Sequence, residues 1–430
     1  MTRQKSMPYS MHYQSRSLIM HTIKRYYKNL IEEYLSFFPC VVILGPRQCG
    51  KTVLLNNLGE EWNIFDLEKG SDYQIVANDP DLFLRLNPHK TAIDEAQLLP
   101  ALFSALRVAI DQQRDTTGRF ILTGSSSPDL LSSISESLAG RVGIIEMSPL
   151  LQAEINLSSD SVLYRAFLDP DRFLVSVQSS QPSADIQQIH KYWFQGGYPE
   201  PWVRDNSRFQ DLWMEQYIQT YLERDISLLF PSMNRQRFRQ FINMLAGLSG
   251  SVINYSDVAR TLGVSQPTIR DYFNIVHGTF VWRHIPAYAT SAKKRLVKHA
   301  KGYLRDCGLL HHLLRLKDLN QLLSHPAMGV SWEAMVIEEI IRGLSWRGIA
   351  ADYYYYRTSG GAEVDLILEG KFGLIPIEIK YGQKVSLKQL RGIRDFMKEQ
   401  QCPFGIVINN DERIRMYEET LIGIPFANCL

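Results

Sequence analysis

Val41-Val42-Ile43-Leu44-Gly45-Pro46-Arg47-Gln48-Cys49-Gly50-Lys51-Thr52-Val53-Leu54-Leu55 is the stretch from which the rest of this chain can be read. Four aliphatic residues in a row suit a parallel strand buried on both faces. Gly45 to Thr52 then match G-x-x-x-x-G-K-[ST] at every fixed position, and the apolar residues that follow start a helix. Gly45 and Gly50 admit backbone conformations closed to residues with a Cβ, so successive N–H groups of the loop Gly45-Pro46-Arg47-Gln48-Cys49-Gly50, Pro46 having none, can turn inward on phosphates at a helix N-terminus. In such a loop Lys51 reaches the β- and γ-phosphates of a nucleoside triphosphate, and the Thr52 hydroxyl ligates Mg²⁺.

A second stretch agrees with the first. Lys90-Thr91-Ala92-Ile93-Asp94-Glu95-Ala96-Gln97 is a short strand ending in paired acids. Asp94 suits the Mg²⁺ shell, and Glu95 suits polarisation of an attacking water. Arg119 to Ser125 reads as a third strand ending in small hydroxylic residues, with Ser125 placed to sense the γ-phosphate or simply to close a turn. Trp62 to Leu67 reads as a further strand and Leu98 to Gln113 as a helix. This alternation over 40–147 predicts an α/β fold, a parallel sheet covered by helices. Arg141, in Ser-Leu-Ala-Gly-Arg before the strand Val142–Met147, is either a surface arginine or an arginine finger for the same or a neighbouring active site.

Length bounds the organisation. A chain of 430 residues splits into two to four domains with separate cores. The formal net charge of +2 places any nucleic-acid role in local patches and not in an overall field. Cys40, Cys49, Cys307, Cys402 and Cys429 show neither C-x-x-C pairing nor histidine spacing, which points away from disulfides and zinc and toward a reducing cytoplasm. No apolar run approaches the roughly 18 residues that span a bilayer, so no membrane role is expected. Residues 1–29 read as a basic extension, with Met7, Met11 and Met20 as alternative starts. Ile23 to Phe38 carries apolar residues at helical spacing. The ATPase core is assigned to 30–150, and 151–230, helical in pattern around a Ser/Gln/Pro-rich loop at 176–184, reads as a helical lid.

Residues 231–302 carry a different pattern. In Tyr255 to Tyr272, Ser256 can cap a short helix, Gly263 can end it, and Ser265 can cap a second helix with Pro267 in its first turn. A hairpin with a basic tip follows, giving a winged helix-turn-helix. Used on DNA, it turns Gln266, Thr268 and Arg270 to a groove and sets Lys293, Lys294, Arg295 and Lys298 on phosphates. Used otherwise, it is a protein-docking module.

Residues 303–430 hold a second candidate site. Glu363 to Leu368 alternates with period two and, after a turn near Gly370, so does Ile375 to Lys380. Pairing across the turn brings Asp365 to Glu378, with Lys380 beside them and Glu333 joining from an upstream helix. Such a set either binds a divalent cation beside a scissile phosphate or is the wet face of a hairpin.

Taken together, the phosphate loop, the Ile-Asp-Glu-Ala-Gln and Leu-Thr-Gly-Ser strands, Ser-Leu-Ala-Gly-Arg, Gly-Gly-Tyr-Pro, the winged helix and the Glu-Val-Asp…Ile-Glu-Ile-Lys hairpin resemble the prokaryotic AAA-type ATPases with a C-terminal restriction-endonuclease-like domain. The resemblance covers about 30–400 and departs at Asp306-Cys307-Gly308-Leu309, where the family shows Asp-Thr-Gly-Leu. It implies ATP rather than GTP with Mg²⁺ at Lys51, Thr52, Asp94 and Glu95, a finger role for Arg141, and a nuclease-like core of Glu333, Asp365, Glu378 and Lys380. DNA and protein partners and a homo-oligomer, a ring if Arg141 works in trans, follow as expectations. So does the rival reading: a nucleotide switch of signalling or defence type whose nuclease-like domain cuts nothing.

Overall fold

In a computed structural model, which describes residues 23–125, 134, 136–157, 161–226, 230, 233–289, 299–358 and 360–430, the alternation over 40–147 becomes a five-stranded sheet. Its strands are β1 (Cys40–Leu44), β2 (Asn63–Asp66), β3 (Thr91–Asp94), β4 (Phe120–Gly124) and β5 (Val142–Glu146), ordered β2-β3-β4-β1-β5 with every neighbour parallel. β1, β3 and β4 are buried at every position, as continuous apolar runs demand. Around the sheet lie helix α1 (Tyr27–Phe37), which buries Tyr27, Leu30, Ile31 and Leu35 at helical spacing, α2 (Lys51–Asn56) and α3 (Ala101–Gln112). Because β4 is inserted between β1 and β3, the carboxyl ends of all three lie side by side, and the phosphate loop, the hydroxyl turn and the acid pair share one edge of the sheet.

The described residues fall in two compact units, one within Met1–Leu150 and Tyr198–Phe209, the other within Leu151–Gly197 and Gln210–Leu430. The stretch 151–230 expected as one lid is therefore divided between them. The reason lies in α4 (Ile186–Gln195), which is sealed into the second unit: Trp193 Nε1 donates to Ser331 Oγ at 2.8 Å, and His311 Nε2 lies 2.6 Å from the same oxygen. Gly196 and Gly197 of the Gly-Gly-Tyr-Pro turn are locked there too. Gly197 N–H donates to Asp306 Oδ2 at 2.8 Å, and a Cβ at Gly196, whose φ is 77°, would lie 2.3 Å from Asp306 Oδ1. Asp306 also caps α8 (Cys307–Leu313) through the Leu309 N–H. Cys307 is buried in this packing, so the departure from Thr falls on a packed position.

In the second unit, α5 (Arg235–Leu248) precedes α6 (Tyr255–Leu262), which ends at Gly263 with φ 63°, and α7 (Gln266–Gly278), capped by Ser265. The cap of α6 is Asn254, whose side chain accepts from the Ser256 and Asp257 N–H groups; the expected cap Ser256 is itself inside the helix. Strands β6 (Ser251–Val252), β7 (Trp282–Ile285) and β8 (Lys301–Leu304) form an antiparallel sheet ordered β6-β8-β7. A buried ionic clip joins it to α9 (Met328–Trp346): Glu338 accepts from Arg342 Nε at 2.7 Å, Arg305 Nε at 3.2 Å and Arg283 Nη2 at 3.1 Å.

Six strands make the last sheet, ordered β13-β14-β12-β11-β10-β9: β9 (Ala351–Arg357), β10 (Glu363–Gly370), β11 (Gly373–Ile379), β12 (Gly405–Asn409), β13 (Arg415–Glu418) and β14 (Leu421–Pro425). β10 and β11 form the expected hairpin, Leu366 opposite Ile377. β11 then crosses over through α10 (Arg391–Gln400) to the parallel β12. Both Ile377 and Glu378 are buried, so the hairpin is covered on both faces and the reading of a wet polar face does not hold.

Candidate functional site

The backbone of the phosphate loop has the shape its glycines allow. Gly45 packs so closely on the strand β5 exit that a Cβ would lie 2.2 Å from the Met147 carbonyl oxygen, and Gly50 takes φ 98° just before α2. Gln48 is also left-handed, at φ 62°. Lys51 is buried, its Nζ donating to the carbonyls of Gly45 at 3.0 Å and Pro46 at 3.1 Å. Arg47 reaches outward to Glu68 at 3.2 Å.

Across the sheet edge, Thr52 Oγ1 donates to Asp94 Oδ2 at 2.6 Å, and Thr123 Oγ1 donates to Asp94 Oδ1. Burial pushes the Asp94 carboxyl up despite these hydroxyls, and Glu95 adds to the push. A carboxylate beside a threonine hydroxyl is a pair of hard oxygen donors, so the donor set fits Mg²⁺. Glu95 sits in the left-handed region at φ 54°, a strained conformation for a residue with a Cβ. Its Oε2 accepts from Ser125 Oγ at 3.2 Å, Ser125 N–H at 3.3 Å and Gln97 Nε2. Ser125, expected to face phosphate, is thus a partner of Glu95. Thr123, Gln97 and Glu68 complete the cluster. Thr123 is one of the hydroxylic residues that end the third strand; Gln97 and Glu68 carry no local signal, and the Glu68 carboxyl is raised by burial and by Glu95.

Arg141 lies elsewhere. Its Nε and Nη2 grip Asp111 at 2.7 and 2.8 Å. It immediately precedes β5, whose Val142 pairs with Cys40 at the start of β1, whereas the phosphate loop follows the end of β1. A five-residue strand puts it roughly 15 Å from that edge, which removes the role in its own site.

In the second unit, Gln266 and Arg270 are exposed at the start of α7, while Thr268 is turned into its own cap, its Oγ1 2.8 Å from Ser265 Oγ. Lys293, Lys294, Arg295 and Lys298 lie outside the described residues.

The four residues of the nuclease-like reading do converge. Lys380 Nζ lies 2.6 Å from Glu378 Oε1 and 3.6 Å from Asp365 Oδ2, and Asp365 Oδ2 accepts the Ile379 N–H at 2.8 Å. Lys380 stands beside Asp365 and Glu378, while Glu333 is turned onto a second cation of the chain. Lys301, unforeseen among the basic residues around it, bridges Glu333 at 2.8 Å and Glu363 at 2.9 Å, and Tyr303 also donates to Glu333. Among the described residues no group of three or more His, Cys, Asp or Glu side chains is placed to hold a metal ion. Burial, reinforced by Asp365, pushes Glu378 up to about 8 and Glu333 up to about 7.

A parallel sheet with its phosphate loop, acid pair and hydroxyl strand on one edge defines an AAA-type P-loop ATPase domain, and the AAA domain family matches residues 38–156. The chain belongs to one family with the "uncharacterized protein Rv2008c" of Mycobacterium tuberculosis, to which it is 32% identical over 394 residues covering 91% of this chain and 81% of that protein. An "uncharacterized protein" of Haemophilus influenzae is 24% identical over 305 residues, 65% of this chain and 70% of its own length. Two domains of unknown function, DUF8612 and DUF4143, match residues 186–320 and 328–428. Among solved structures, the Walker-type ATPase of Pyrococcus abyssi aligns with a TM-score of 0.40 at 15% identity, covering 67% of this chain and 94% of that one. Among the described residues no helix is long and apolar enough to cross a membrane.

Proposed function

We propose that the chain binds and hydrolyses ATP with Mg²⁺ at the edge formed by β1, β3 and β4, and that it works on DNA, as a homo-oligomer in which Arg141 serves a neighbouring site. The observation that carries the ATPase reading is the meeting of Thr52 and Asp94 at 2.6 Å beside the buried Lys51. Loop N–H groups cradle the α- and β-phosphates, and Lys51 exchanges its carbonyl partners for β- and γ-phosphate oxygens. Thr52 and Asp94 would hold Mg²⁺, which would neutralise charge on the phosphate oxygens. Glu95, fixed by Ser125 and Gln97, orients a water. As the water oxygen bonds to the γ-phosphorus, the bond to the bridging oxygen breaks, ADP leaves with that oxygen, and Glu95 accepts the proton. Exposed Gln266 and Arg270 on α7 support DNA contact through the winged-helix reading, together with the basic residues 293–298 of the sequence.

One observation favours a second reading. Lys301 already meets Glu333 of the C-terminal cluster, as suits a nucleotide switch whose nuclease-like domain is silent and whose partners are proteins. The experiment is ATP turnover with single-stranded, duplex and branched DNA at increasing salt, the same reactions being run on a gel for strand breaks. Stimulation that falls steeply with salt and weakens in Arg270→Ala supports the DNA reading. Turnover indifferent to DNA, with no breaks, moves the conclusion to the switch. Breaks that vanish in Asp365→Ala and Lys380→Ala would contradict the silent cluster.

A further inference from the structure

Arg25 lies outside the matched AAA segment, thirteen positions before it by residue number, yet its guanidinium is buried against the phosphate loop. Nη1 donates to the Cys49 carbonyl at 2.5 Å and Nη2 to the Ser148 carbonyl at 2.7 Å. Ser148 is itself fixed from the same segment: its N–H donates to Tyr27 Oη at 3.1 Å. One side chain thus ties the loop to the chain leaving β5.

The consequence follows from peptide geometry. In a planar trans peptide the C=O and the following N–H point in opposite directions. With the Cys49 carbonyl held on Arg25, the N–H of Gly50 points the other way, away from Arg25. Gly50 is the residue least able to hold that orientation unaided, because glycine enters its φ of 98° as readily as many other conformations. Arg25 is also packed against it: a Cβ on Gly50 would lie 3.3 Å from Arg25 Nη1.

We propose that Arg25 is a positioning residue for nucleotide binding, acting through the Cys49–Gly50 peptide to aim a donor at the β-phosphate; this rests on the ATP reading above. That donor faces a phosphate present in ATP and ADP and in ground and transition states alike. Its loss therefore appears in binding and KM and leaves kcat nearly untouched.

The test uses the full chain with Mg²⁺: affinities for ATP and ADP, KM and kcat, and thermal unfolding, for wild type, Arg25→Ala and Arg25→Lys. Arg25→Ala is expected to weaken ATP and ADP equally, by about tenfold, with KM rising alike and kcat within about twofold. Arg25→Lys, with an ammonium able to hold one carbonyl, recovers part of the loss. Folded Arg25→Ala that binds both nucleotides like wild type, however much its melting point falls, overturns the proposal. Should Arg25→Ala fail to fold, wild-type affinity in Arg25→Lys overturns it and weakened affinity supports it. Folded wild type that binds neither nucleotide sinks the ATP reading itself, a separate outcome.

Discussion

The phosphate-loop edge and the C-terminal acidic cluster both gather carboxylates around a lysine, but they dispose of charge in opposite ways. At the loop, Lys51 is bonded to carbonyl oxygens and Asp94 to hydroxyls, so cation and anion are held near each other without being spent on one another. In the cluster, Lys380 lies on Glu378 and Asp365, and Lys301 on Glu333 and Glu363. The first arrangement is ready for a ligand that brings both phosphate and a cation. The second is balanced from within by Lys301 and Lys380, although burial still holds the Glu378 and Glu333 carboxyls high. Similar residue types thus make a receiving site in one unit and a self-paired one in the other.

The largest effect that sharpens this contrast is expected from Lys301→Met. Removing one partner of a buried pair leaves Glu333 and Glu363 facing each other, a loss of about 3–5 kcal/mol in unfolding free energy, measured with denaturant. Recovery of that loss by millimolar Mg²⁺ would show the ammonium standing where a divalent cation can; no recovery marks the cluster as purely structural. Next comes Glu95→Gln, which keeps the partners of the side chain but not its basicity. ATP hydrolysis should fall about 100-fold or more while ATP affinity stays. A loss of both together would mean that Glu95 shapes the loop and would blur the distinction between holding and reacting groups.

The smallest effect is a slope with pH. Glu333, Glu339 and Glu378 have folded values raised to about 7, 7 and 8, so the native state holds protons the unfolded chain has released, and stability falls as pH rises toward 8. His284 and His311, lowered to about 4 by burial, act in the other direction, costing stability as pH falls below about 6.5. Between roughly pH 6.5 and 8 the carboxyls outweigh the histidines, and the melting point should decline. Glu378→Gln should flatten that decline; an unchanged slope would remove Glu378 from the account.

What was legible in the sequence follows from where each interaction is encoded. The loop could be read because its chemistry is local: Gly45, Gly50, Lys51 and Thr52 do their work within eight positions, with Gly50 required by its φ and Gly45 by the close approach of Met147. Asp94 and Glu95 were legible as an acid pair ending a strand, and Asp365 and Glu378 as opposite members of a hairpin. The cap of α6 was misplaced because Asn254 and Ser256 both suit the role and only the backbone decides. Arg25, Gln97 and Lys301 had no local signature. Their partners come from distant strands, and sheet order, which sets β4 between β1 and β3, is what brings Thr123 to Asp94. Which of its alternatives Arg141 follows was not legible for the same reason, since which end of the sheet it occupies depends on the register of β5 against β1.

The most direct measurement is phosphate release from ATP in the presence and absence of Mg²⁺, for wild type and Lys51→Ala. The account predicts Mg²⁺-dependent turnover in wild type, reduced about 100- to 1,000-fold in Lys51→Ala by loss of the cation at the β- and γ-phosphates. Equal turnover in the two proteins, or none in folded wild type, would contradict it.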